Sequence, residues 1–430
     1  MEQSFHATGR ERLKRLAGYA THAGQGGLVR LLQVALFNPV CLRCWLWIWR
    51  GRVEFFGTSH AIGEMVTTVD YYLKRKLHLQ SRMVSVYLIN KPHLANAYLA
   101  KVQARAFRSP RTLFVSNRFL CLLLAPLEHQ LSFTGPHRTF SPHAQEYHEL
   151  NDRYNFHLER QVTAAERERA RLIMERFGLP REAKFVCVHV REAGFSARVQ
   201  SPGHNAIRNA DVMTYRAAIE YLVRQGFWVV RMGEATVTPL PPMERVIDYA
   251  RSPCKSAFMD IVLVAEGEFY VGSSAGLVNV AYIFNKFILM ANALPLESAA
   301  WHPRHFWIPK LLYSTAEQRY LTYAEVVSRG IGAYHRLQHY AAAQVEIHDN
   351  SPEDILEGTQ ELHRWYLGDP GYSDEDVRAQ RAFTQLFPPE YMGYGTRSRV
   401  CASFLRRYRH LMPQASVAVP EGREAVALPS

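Results

Sequence analysis

Two neighbouring segments of the sequence carry the groups best suited to binding an anion. The first, residues 185–191, is an apolar strand that leads to His189 and Arg191. The second holds Arg208 and Asn209 directly ahead of a helical pattern. A guanidinium forms paired hydrogen bonds with phosphate, and a helix start adds backbone amides and a favourable dipole. We therefore expect a phosphate-binding site where these segments meet.

A second candidate is the small-residue segment 272–276, with the sequence Gly-Ser-Ser-Ala-Gly, which follows a predicted strand and opens a helix. Small residues allow the backbone to approach a ligand, and the hydroxyls of Ser273 and Ser274 with the amides up to Gly276 can bind phosphate. Such residues can also serve helix packing alone. The segment lacks the Lys of a P-loop and the glycine spacing of a dinucleotide fingerprint.

The remaining candidates each have an ordinary structural alternative. Arg231 and Gly233 end another predicted strand, on the same sheet edge, but Arg231 can equally be a surface arginine. Asp260 can bind a ribose or a base, or act as a helix N-cap. Glu64 is a candidate base toward an acceptor hydroxyl, or a solvated loop carboxylate. His189 is either a general base or a satisfied structural histidine.

Composition narrows the classes of partner. The chain has 430 residues, a formal charge of +12 and a pI near 9.4, which fits a polyanion, an acidic lipid surface, a phosphorylated small molecule or a generally basic proteome. Six scattered cysteines indicate a reducing cytosol. Cys41 and Cys44 have the spacing of a ligand pair, but no second pair follows at zinc-site spacing. We predict no metal site.

The N-terminal 50 residues are basic and partly apolar. Charges spread over the first 15 residues argue against a secretory signal, and residues 31–42 form an uncharged run too short to cross a bilayer. Trp45, Trp47 and Trp49 lie among arginines, which is typical of a segment at a membrane interface. The same segment fits equally well a helix and strand packed on the first domain.

Alternation of strand and helix patterns predicts the α/β class with parallel sheets. The capping box formed by Thr163 and Glu166 predicts a helix from there to residue 177. The predicted strands cover residues 52–56, 83–90, 112–115, 185–190, 227–230, 269–271, 287–290 and a last one from 345. The expected domains are an N-terminal segment 1–50, an acceptor domain 51–160, a nucleotide-sugar domain 161–370 and a C-terminal extension 371–430.

Together these motifs resemble a bacterial family of glycosyltransferases that is itself similar to the fucosyltransferase superfamily. The likeness spans about residues 50–370. It rests on the segments Val188-His-Val-Arg191, Arg208-Asn-Ala-Asp211, Tyr215 with Ala218-Ile219, Val229-Val-Arg-Met-Gly233, Asp260 and Gly272-Ser-Ser-Ala-Gly276. The resemblance implies a GT-B-like fold, in which two Rossmann-like doubly wound domains face a cleft and the C-terminal one holds the nucleotide-sugar. It also implies independence of metals and cofactors.

The resemblance assigns roles to individual residues. Related fucosyltransferases place an arginine of a His-x-Arg-x-x-Asp motif on the donor diphosphate; His189 and Arg191 match it, but Gly194 occupies the acid position. Arg191 would stabilise the leaving diphosphate as the glycosidic bond breaks. Ser273, Ser274 and Asp260 would complete donor binding. The departure at Gly194 leaves the donor sugar open.

The expected function is transfer of a sugar from a nucleoside-diphosphate sugar to a glycan, lipid-linked or protein acceptor. Such an enzyme of polysaccharide biosynthesis would be cytoplasmic, and an interfacial N-terminal segment would place it against the inner membrane. No nucleic acid partner is expected. Two alternatives stay open: another nucleotide- or phosphate-dependent transferase, or a non-catalytic protein of the same fold that binds a membrane surface or a glycan.

Overall fold

The computed structural model describes two α/β units, each built on a parallel sheet. The described residues are 53–55, 61–80, 82, 84–89, 94–109, 111–121, 124, 144–154, 161–193, 206–234, 238–298, 300–369 and 371–413. The cysteine pair, the tryptophan-rich segment, Gly194 and the tail beyond 413 lie outside these ranges, so the predictions made for them are not addressed by the structure.

The N-terminal unit contains three parallel strands in sequential order. They are β1 (Val53–Phe55), β2 (Val84–Leu88) and β3 (Thr112–Val115). Helix α1 (Ile62–His78) follows β1, and helix α2 (Ala97–Ala106) joins β2 to β3. The three strands predicted here are confirmed, with ends shortened by up to two residues.

Helix α1 begins earlier than the sequence pattern indicates. The sequence pattern favours a loop at Glu64, whereas the helix includes Gly63 and Glu64 in its first turn. A glycine lowers helix propensity, which hid this turn in the sequence. Glu64 is therefore a helical residue rather than a loop residue, and its charge lies favourably near the positive end of the helix dipole.

Helix α3 (Ala144–Arg153) lies in the part of the chain predicted to be an irregular connection. Its buried side includes Tyr147 and His148, which do not read as apolar positions in a periodic pattern. The helix packs on α1 through a buried polar cluster: Lys74 Nζ lies 2.7 Å from Asp70 Oδ2, and the Tyr147 hydroxyl donates to the same oxygen at 2.6 Å. These paired groups offset the cost of burying charge between the helices.

The C-terminal unit contains a seven-stranded sheet in which every pair is parallel. Its strands are β4 (Phe185–His189), β5 (Trp228–Arg231), β6 (Val246–Ile247), β7 (Phe269–Ser273), β8 (Phe287–Ala293), β9 (His305–Pro309) and β13 (Arg399–Val400). Their order in space is β13-β9-β8-β7-β4-β5-β6. The chain therefore winds outward from β4 in one direction and then from β7 in the other, as in a doubly wound fold.

Helix α4 (Ala164–Arg176) precedes this sheet and starts with the predicted capping box. Thr163 Oγ1 accepts from the Glu166 amide at 3.2 Å, and Glu166 Oε2 accepts from the Thr163 amide at 3.0 Å. The other helices of the unit are α5 (Arg216–Arg224), α6 (Ala257–Glu266), α7 (Gly276–Ile283), α8 (Tyr323–Ser328), α9 (Leu337–Ala342), α10 (Pro352–Tyr366), α11 (Asp374–Thr384) and α12 (Ala402–Arg407).

Two features of this unit were not predicted. The predicted strand from residue 345 is confirmed as β12 (Val345–His348), but it belongs to a small antiparallel sheet with two unpredicted strands, β10 (Leu311–Ser314) and β11 (Arg319–Tyr320), after the carboxyl end of β9. In addition, β13 from the C-terminal extension pairs with β9. Strands β11 and β13 have only two residues each, which is too short a pattern to recognise in the sequence. The extension is thus part of the C-terminal unit up to residue 413.

The two units touch where the helices that follow their strands begin. The Asn96 amide, at the start of α2, donates to the Ala257 carbonyl at the start of α6 at 2.9 Å. The first turns of α1 and α7 are also in contact through Gly63 and Gly276. Because these helices leave the carboxyl ends of their strands, the carboxyl edges of the two sheets face each other. The expected α/β class with two parallel sheets is confirmed.

The helices of the described ranges are too short or too polar to cross a bilayer.

Candidate anion-binding site

The strand order of the C-terminal sheet reverses between β4 and β7, and the site is built at this point. Open α/β sheets bind ligands in the crevice at the carboxyl ends of such strands. Arg191 follows β4, and Ser273 ends β7. The main-chain amide of Arg191 donates to the buried Ser273 Oγ at 2.8 Å, which fixes the loop that carries the guanidinium. The structure thus joins two segments that the sequence identified separately.

Gly272 allows β4 and β7 to come together here. It pairs with His189 in the sheet register, and a Cβ added at Gly272 would lie 2.3 Å from the His189 carbonyl oxygen. Real Cβ atoms do not approach so closely, so this position needs glycine.

His189 itself is poorly suited to proton abstraction at neutral pH. Burial, with the nearby charges of Arg231, Arg191 and Lys255, lowers the pKa of His189 to about 3. An efficient general base has a pKa close to the working pH. The buried Nδ1 atom has no hydrogen-bond partner among the described residues. The imidazole is therefore neutral, and it is available to a ligand for hydrogen bonding rather than for proton transfer.

Arg191 and Arg208 form a cationic pair within a largely buried environment. Burial lowers the pKa of Arg191. Burial and the Arg191 charge together lower the pKa of Arg208 to about 10, although the Glu64 charge acts in the opposite direction. Arg208 Nε is buried without a partner in the described structure. A negatively charged ligand would reduce the repulsion between these two guanidiniums, so the pair is suited to binding an anion.

Asn209 is placed by a lysine that the sequence analysis did not identify. Lys310, only 2% exposed, follows β9 and donates through Nζ to the Asn209 carbonyl at 2.5 Å and to Asp349 Oδ1 at 2.7 Å. Asn209 Oδ1 is buried without a partner among the described residues. Lys310 carries the same signal as Arg191, a charge after an apolar strand, but β9 was not recognised because His302, Pro303 and Pro309 interrupt its pattern.

Two helix starts meet beside these residues. Helix α1 has Ala61 as its N-cap residue and α7 has Ala275, and neither end is capped by a side chain. A Cβ at Gly276 would lie 2.8 Å from the Gly63 amide nitrogen, so only glycine lets the two first turns come into contact. Uncapped helix starts present orphan amides and a partial positive charge. A helix from each unit thus adds positive potential to the same place.

Glu64, Ser274 and Gly276 lie on these helix starts. Glu64 is exposed in the first turn of α1 and close enough to Arg208 to affect its pKa. Ser274 is half-buried in the turn between β7 and α7. Gly276 serves the contact between helices, which is the packing role weighed for it above. The structure therefore brings Glu64 together with Arg191 and Arg208.

Arg231 has a structural role instead of the expected contact with a ligand. It is fully buried, and its guanidinium donates to Glu192 Oε2 at 2.8 Å and to Asp248 Oδ1 at 2.9 Å. The same group donates to the Thr238 carbonyl at 2.9 Å. Two carboxylates compensate the buried charge, so Arg231 holds the loops after β4 and β5 together. Gly233, two residues later, has a left-handed φ of 138° and provides the turn after β5.

Asp260 is engaged with other protein groups. It was weighed as a helix N-cap, but Ser256 caps α6 by accepting from the Met259 amide at 3.2 Å. The Asp260 carboxylate accepts from Lys255 Nζ at 3.0 Å and from the Tyr249 hydroxyl at 3.0 Å. A donor contact through Asp260 would have to share or replace these bonds.

In the described part of the chain, no three His, Cys, Asp or Glu side chains are placed to share a metal ion. The acidic segment at 374–376 begins α11. Within it, Asp376 accepts from the Ser373 amide at 3.0 Å and pairs with Arg406 at 2.5 Å. This segment is a helix start.

Comparisons with known proteins find remote similarity only. No protein-family model and no curated protein matches the chain. The glycosyl transferase family 9 protein from Veillonella parvula DSM 2008 is 12% identical, with a TM-score of 0.42, over 74% of this chain and 97% of that chain. E. coli ADP-heptose lps heptosyltransferase II is 14% identical, with a TM-score of 0.36, over 74% of this chain and 99% of that chain.

The dodecameric iron-containing glycosyltransferase TibC from enterotoxigenic E. coli H10407 is 12% identical, with a TM-score of 0.29, over 59% of this chain and 61% of that chain. Similarities at this level do not assign an activity to this chain. The three proteins are named as a family 9 glycosyl transferase, a heptosyltransferase and a glycosyltransferase. They add no support for the similarity to fucosyltransferases, which stays a prediction.

Proposed function

We propose that this chain is a glycosyltransferase of GT-B-like architecture that takes a nucleoside-diphosphate sugar as donor. One observation carries the proposal: Arg191 and Arg208 lie beside two uncapped helix starts at the switch point of the sheet. A diphosphate carries enough negative charge to join both guanidiniums and to accept from the orphan amides. The facing unit, with its exposed Glu64, is the side from which an acceptor would approach.

The proposed reaction breaks the bond between the anomeric carbon and the diphosphate oxygen, and the electron pair leaves with the diphosphate. The acceptor hydroxyl oxygen forms the new bond to the anomeric carbon and loses its proton to a base. Arg191 and Arg208 stabilise the charge that develops on the diphosphate, because fixed cations in a water-poor site need no reorganisation. These cations and the helix dipoles supply the positive charge that a metal ion provides in some other transferases. The proposal therefore includes no metal or cofactor.

The remaining residues divide into those proposed to contact the donor and those that support them. Ser273 fixes the Arg191 loop, and the Ser274 hydroxyl and the His189 imidazole are proposed to donate to the donor. Asn209 Oδ1 can accept from a hydroxyl of the sugar or the ribose. Glu64 is the proposed base, since it is an exposed carboxylate near Arg208. The identity of the sugar is left open.

The acceptor is proposed to be a glycan, a lipid-linked glycan or a protein, and the protein is proposed to act in the cytoplasm or at the inner face of a membrane. The same cationic site also suits another nucleotide- or phosphate-dependent transferase, or a protein that binds such a ligand without turnover. One measurement distinguishes these candidates. A glycosyltransferase releases the nucleoside diphosphate when an acceptor or water takes the sugar, whereas a binding protein does not.

A thermal-shift screen of nucleoside-diphosphate sugars tests the proposal, because a ligand that binds only the folded state raises its stability. The panel includes UDP-, GDP-, dTDP- and ADP-sugars, with ADP-heptose among them. We expect at least one to raise the melting temperature of the wild type but not of Arg191→Ala. Arg176→Ala is the matched control, because Arg176 is an exposed arginine at the end of α4.

The positive ligand is then tested for nucleotide release with and without excess EDTA. Release that is unaffected by EDTA and lost in Arg191→Ala supports a metal-independent transferase. Binding without release would identify a binding protein instead. The proposal is wrong if no sugar nucleotide binds at millimolar concentration and Arg191→Ala behaves like the wild type.

A further inference from the structure

The positive charge of the chain is concentrated in its N-terminal part. Residues 1–127 contain 18 Lys and Arg against five Asp and Glu, whereas the remaining residues contain 33 against 34. From Tyr71 to Leu127 there are ten Lys and Arg and no acidic residue. Such a separation of charge predicts a large anionic partner for this part of the protein, since a small anion needs only the few cations around it.

Within the described residues, this charge coincides with exposed apolar side chains along one segment, which we call the basic edge. The basic edge is residues 108–120, centred on β3, which is the last strand of its sheet in the described structure. Its exposed members are Arg108, Arg111, Leu113, Arg118, Phe119 and Leu120. Phe119 is 71% exposed, Leu113 48% and Leu120 41%, which is unusual for three large apolar residues so close in sequence.

The local structure directs these side chains outward. Exposed Arg111 and Leu113 alternate with buried Thr112, so they lie on the same face of the strand. After the strand, the Asn117 side chain accepts from the Leu120 amide at 3.0 Å and so opens a helical turn. Cys121 in that turn is fully buried. With Cys121 facing inward, the turn presents Phe119 to the solvent as a stable feature of the fold.

The basic edge ends on the side of the unit where the candidate site lies. Strands β1, β2 and β3 are parallel, so their carboxyl ends share one edge of the sheet. Helix α1 leaves that edge after β1 with Gly63 and Glu64 in its first turn. The turn with Arg118 and Phe119 leaves the same edge after β3. A surface that holds this turn would therefore lie beside the junction between the two units.

We propose that the basic edge docks on an anionic phospholipid bilayer. Arginines attract acidic headgroups, and an exposed phenylalanine and leucines enter the boundary between headgroups and acyl chains. A soluble polyanion would pair with the arginines, but it would leave the apolar side chains of Phe119 and Leu120 exposed to water. A second copy of the chain would bring three arginines of each copy together and is opposed by their charge. An anionic bilayer can bind both the arginines and the apolar side chains of the basic edge.

Docking at this edge brings the junction between the units to the membrane surface. Given the proposed function, this selects a lipid-linked acceptor from the three classes named above, because its hydroxyl is delivered at that surface. Membrane docking itself requires no donor or acceptor, so it can fail or succeed independently of sugar transfer.

Flotation of the purified full-length protein with vesicles tests the docking. The vesicles are phosphatidylcholine alone, or phosphatidylcholine with about a third of phosphatidylglycerol, at low and high salt. We expect binding to the anionic vesicles that falls with salt, and little binding to the neutral ones. Replacing the three arginines by Arg108→Gln, Arg111→Gln and Arg118→Gln should weaken binding at least about tenfold, since each basic residue near the surface contributes several-fold.

The apolar part is tested by Phe119→Ser with Leu120→Ser, which should also weaken binding at least about tenfold. The charge control replaces exposed Arg176, Arg224 and Arg378 of the other unit by Gln, giving the same change of net charge. The apolar control is Leu172→Ser with Leu367→Ser, whose side chains are 49% and 66% exposed in the other unit. Both controls should bind vesicles like the wild type.

The inference is overturned if the basic-edge variants float like their controls, because binding would then come from another part of the chain or from net charge. It is also overturned if the arginine set matters, the apolar pair does not, and a soluble polyanion such as heparin competes fully. Light scattering on the same samples detects a dimer that dissociates in the Phe119 variant, a result that would assign this surface to a second copy.

Discussion

Gly63 and Gly276 bring the first turns of two helices from different sheets into direct contact. A Cβ on Gly276 would lie 2.8 Å from the Gly63 nitrogen, and a Cβ on Gly63 would lie 3.0 Å from the Gly276 Cα. The contact places the positive ends of α1 and α7 side by side, next to the loops with Arg191 and Arg208. The junction between the units is therefore also part of the candidate anion site.

Gly276→Ala should separate these helix starts. We expect an increase in donor Kd of at least about tenfold and a loss of unfolding free energy of about 1–3 kcal/mol, as is usual when an atom is forced into a packed contact. Isothermal titration and urea denaturation measure the two effects. Val278→Ala on the same helix removes atoms instead of adding them, and it should leave donor binding unchanged. Wild-type affinity in Gly276→Ala would show that the contact is not needed for binding.

Arg191 and Arg231 should respond to substitution in opposite ways. Arg191→Ala removes charge-assisted bonds to a ligand, each worth about 1.5–3 kcal/mol, so donor binding should weaken by tenfold or more with little change in stability. Arg231→Met leaves Glu192 and Asp248 without their buried cation, which should cost about 3–5 kcal/mol of unfolding free energy. Denaturation and ligand titration of both variants distinguish the two roles. Equal losses of stability would contradict them.

Glu64→Gln should lower kcat while leaving stability and donor affinity close to those of the wild type. The side chain is exposed, so the substitution removes little packing, whereas loss of a general base lowers rates by about 100- to 10,000-fold. Steady-state kinetics with a transferable acceptor measure the effect. Glu149→Gln, which alters an exposed carboxylate on α3, is the control. An unchanged kcat would remove Glu64 from the mechanism.

The buried histidines near the connection between the units should make the fold sensitive to acid. The His148 and His302 rings are 6.4 Å apart, and the His302 and His305 rings are 5.3 Å apart. Burial, together with the nearby Arg397 charge, lowers the pKa of His148 to about 2 and that of His302 to about 4. Burial also holds the pKa of His305 well below its usual value.

Each of these groups binds a proton more readily in the unfolded chain, where a histidine has a pKa near 6.5. Their contribution to stability is therefore complete above about pH 6.5 and is lost as the pH falls below it. At pH 5, His148 alone should account for a loss of about 2 kcal/mol. Urea denaturation between pH 5 and 7.5 measures the slope, which His148→Leu should reduce. His339→Gln, at an exposed position, should not change it.

The strands and helices with clear periodic patterns could be predicted from the sequence, because their apolar runs reflect burial on both faces of a parallel sheet. The capping box at Thr163 and Glu166 predicted one helix start correctly, because its two residues lie close together in the sequence. Elements without such patterns were not predicted: α3 buries polar aromatic residues, and the antiparallel strands β10 and β11 are short. Missing β9 also concealed Lys310, although a charge after a strand was the signal that identified Arg191.

The sequence by itself determined the residues of the candidate site, because the types of side chain at the ends of apolar strands can be read without coordinates. Only the tertiary structure decided which of these residues lie close together in space. It joined Arg191, Arg208 and Glu64 across two sheets, while it committed Arg231 to Glu192 and Asp248 and engaged Asp260 with Lys255. The physical reason is that electrostatic partners are set by distance in space, and distances between separate strands depend on the order in which the chain winds them.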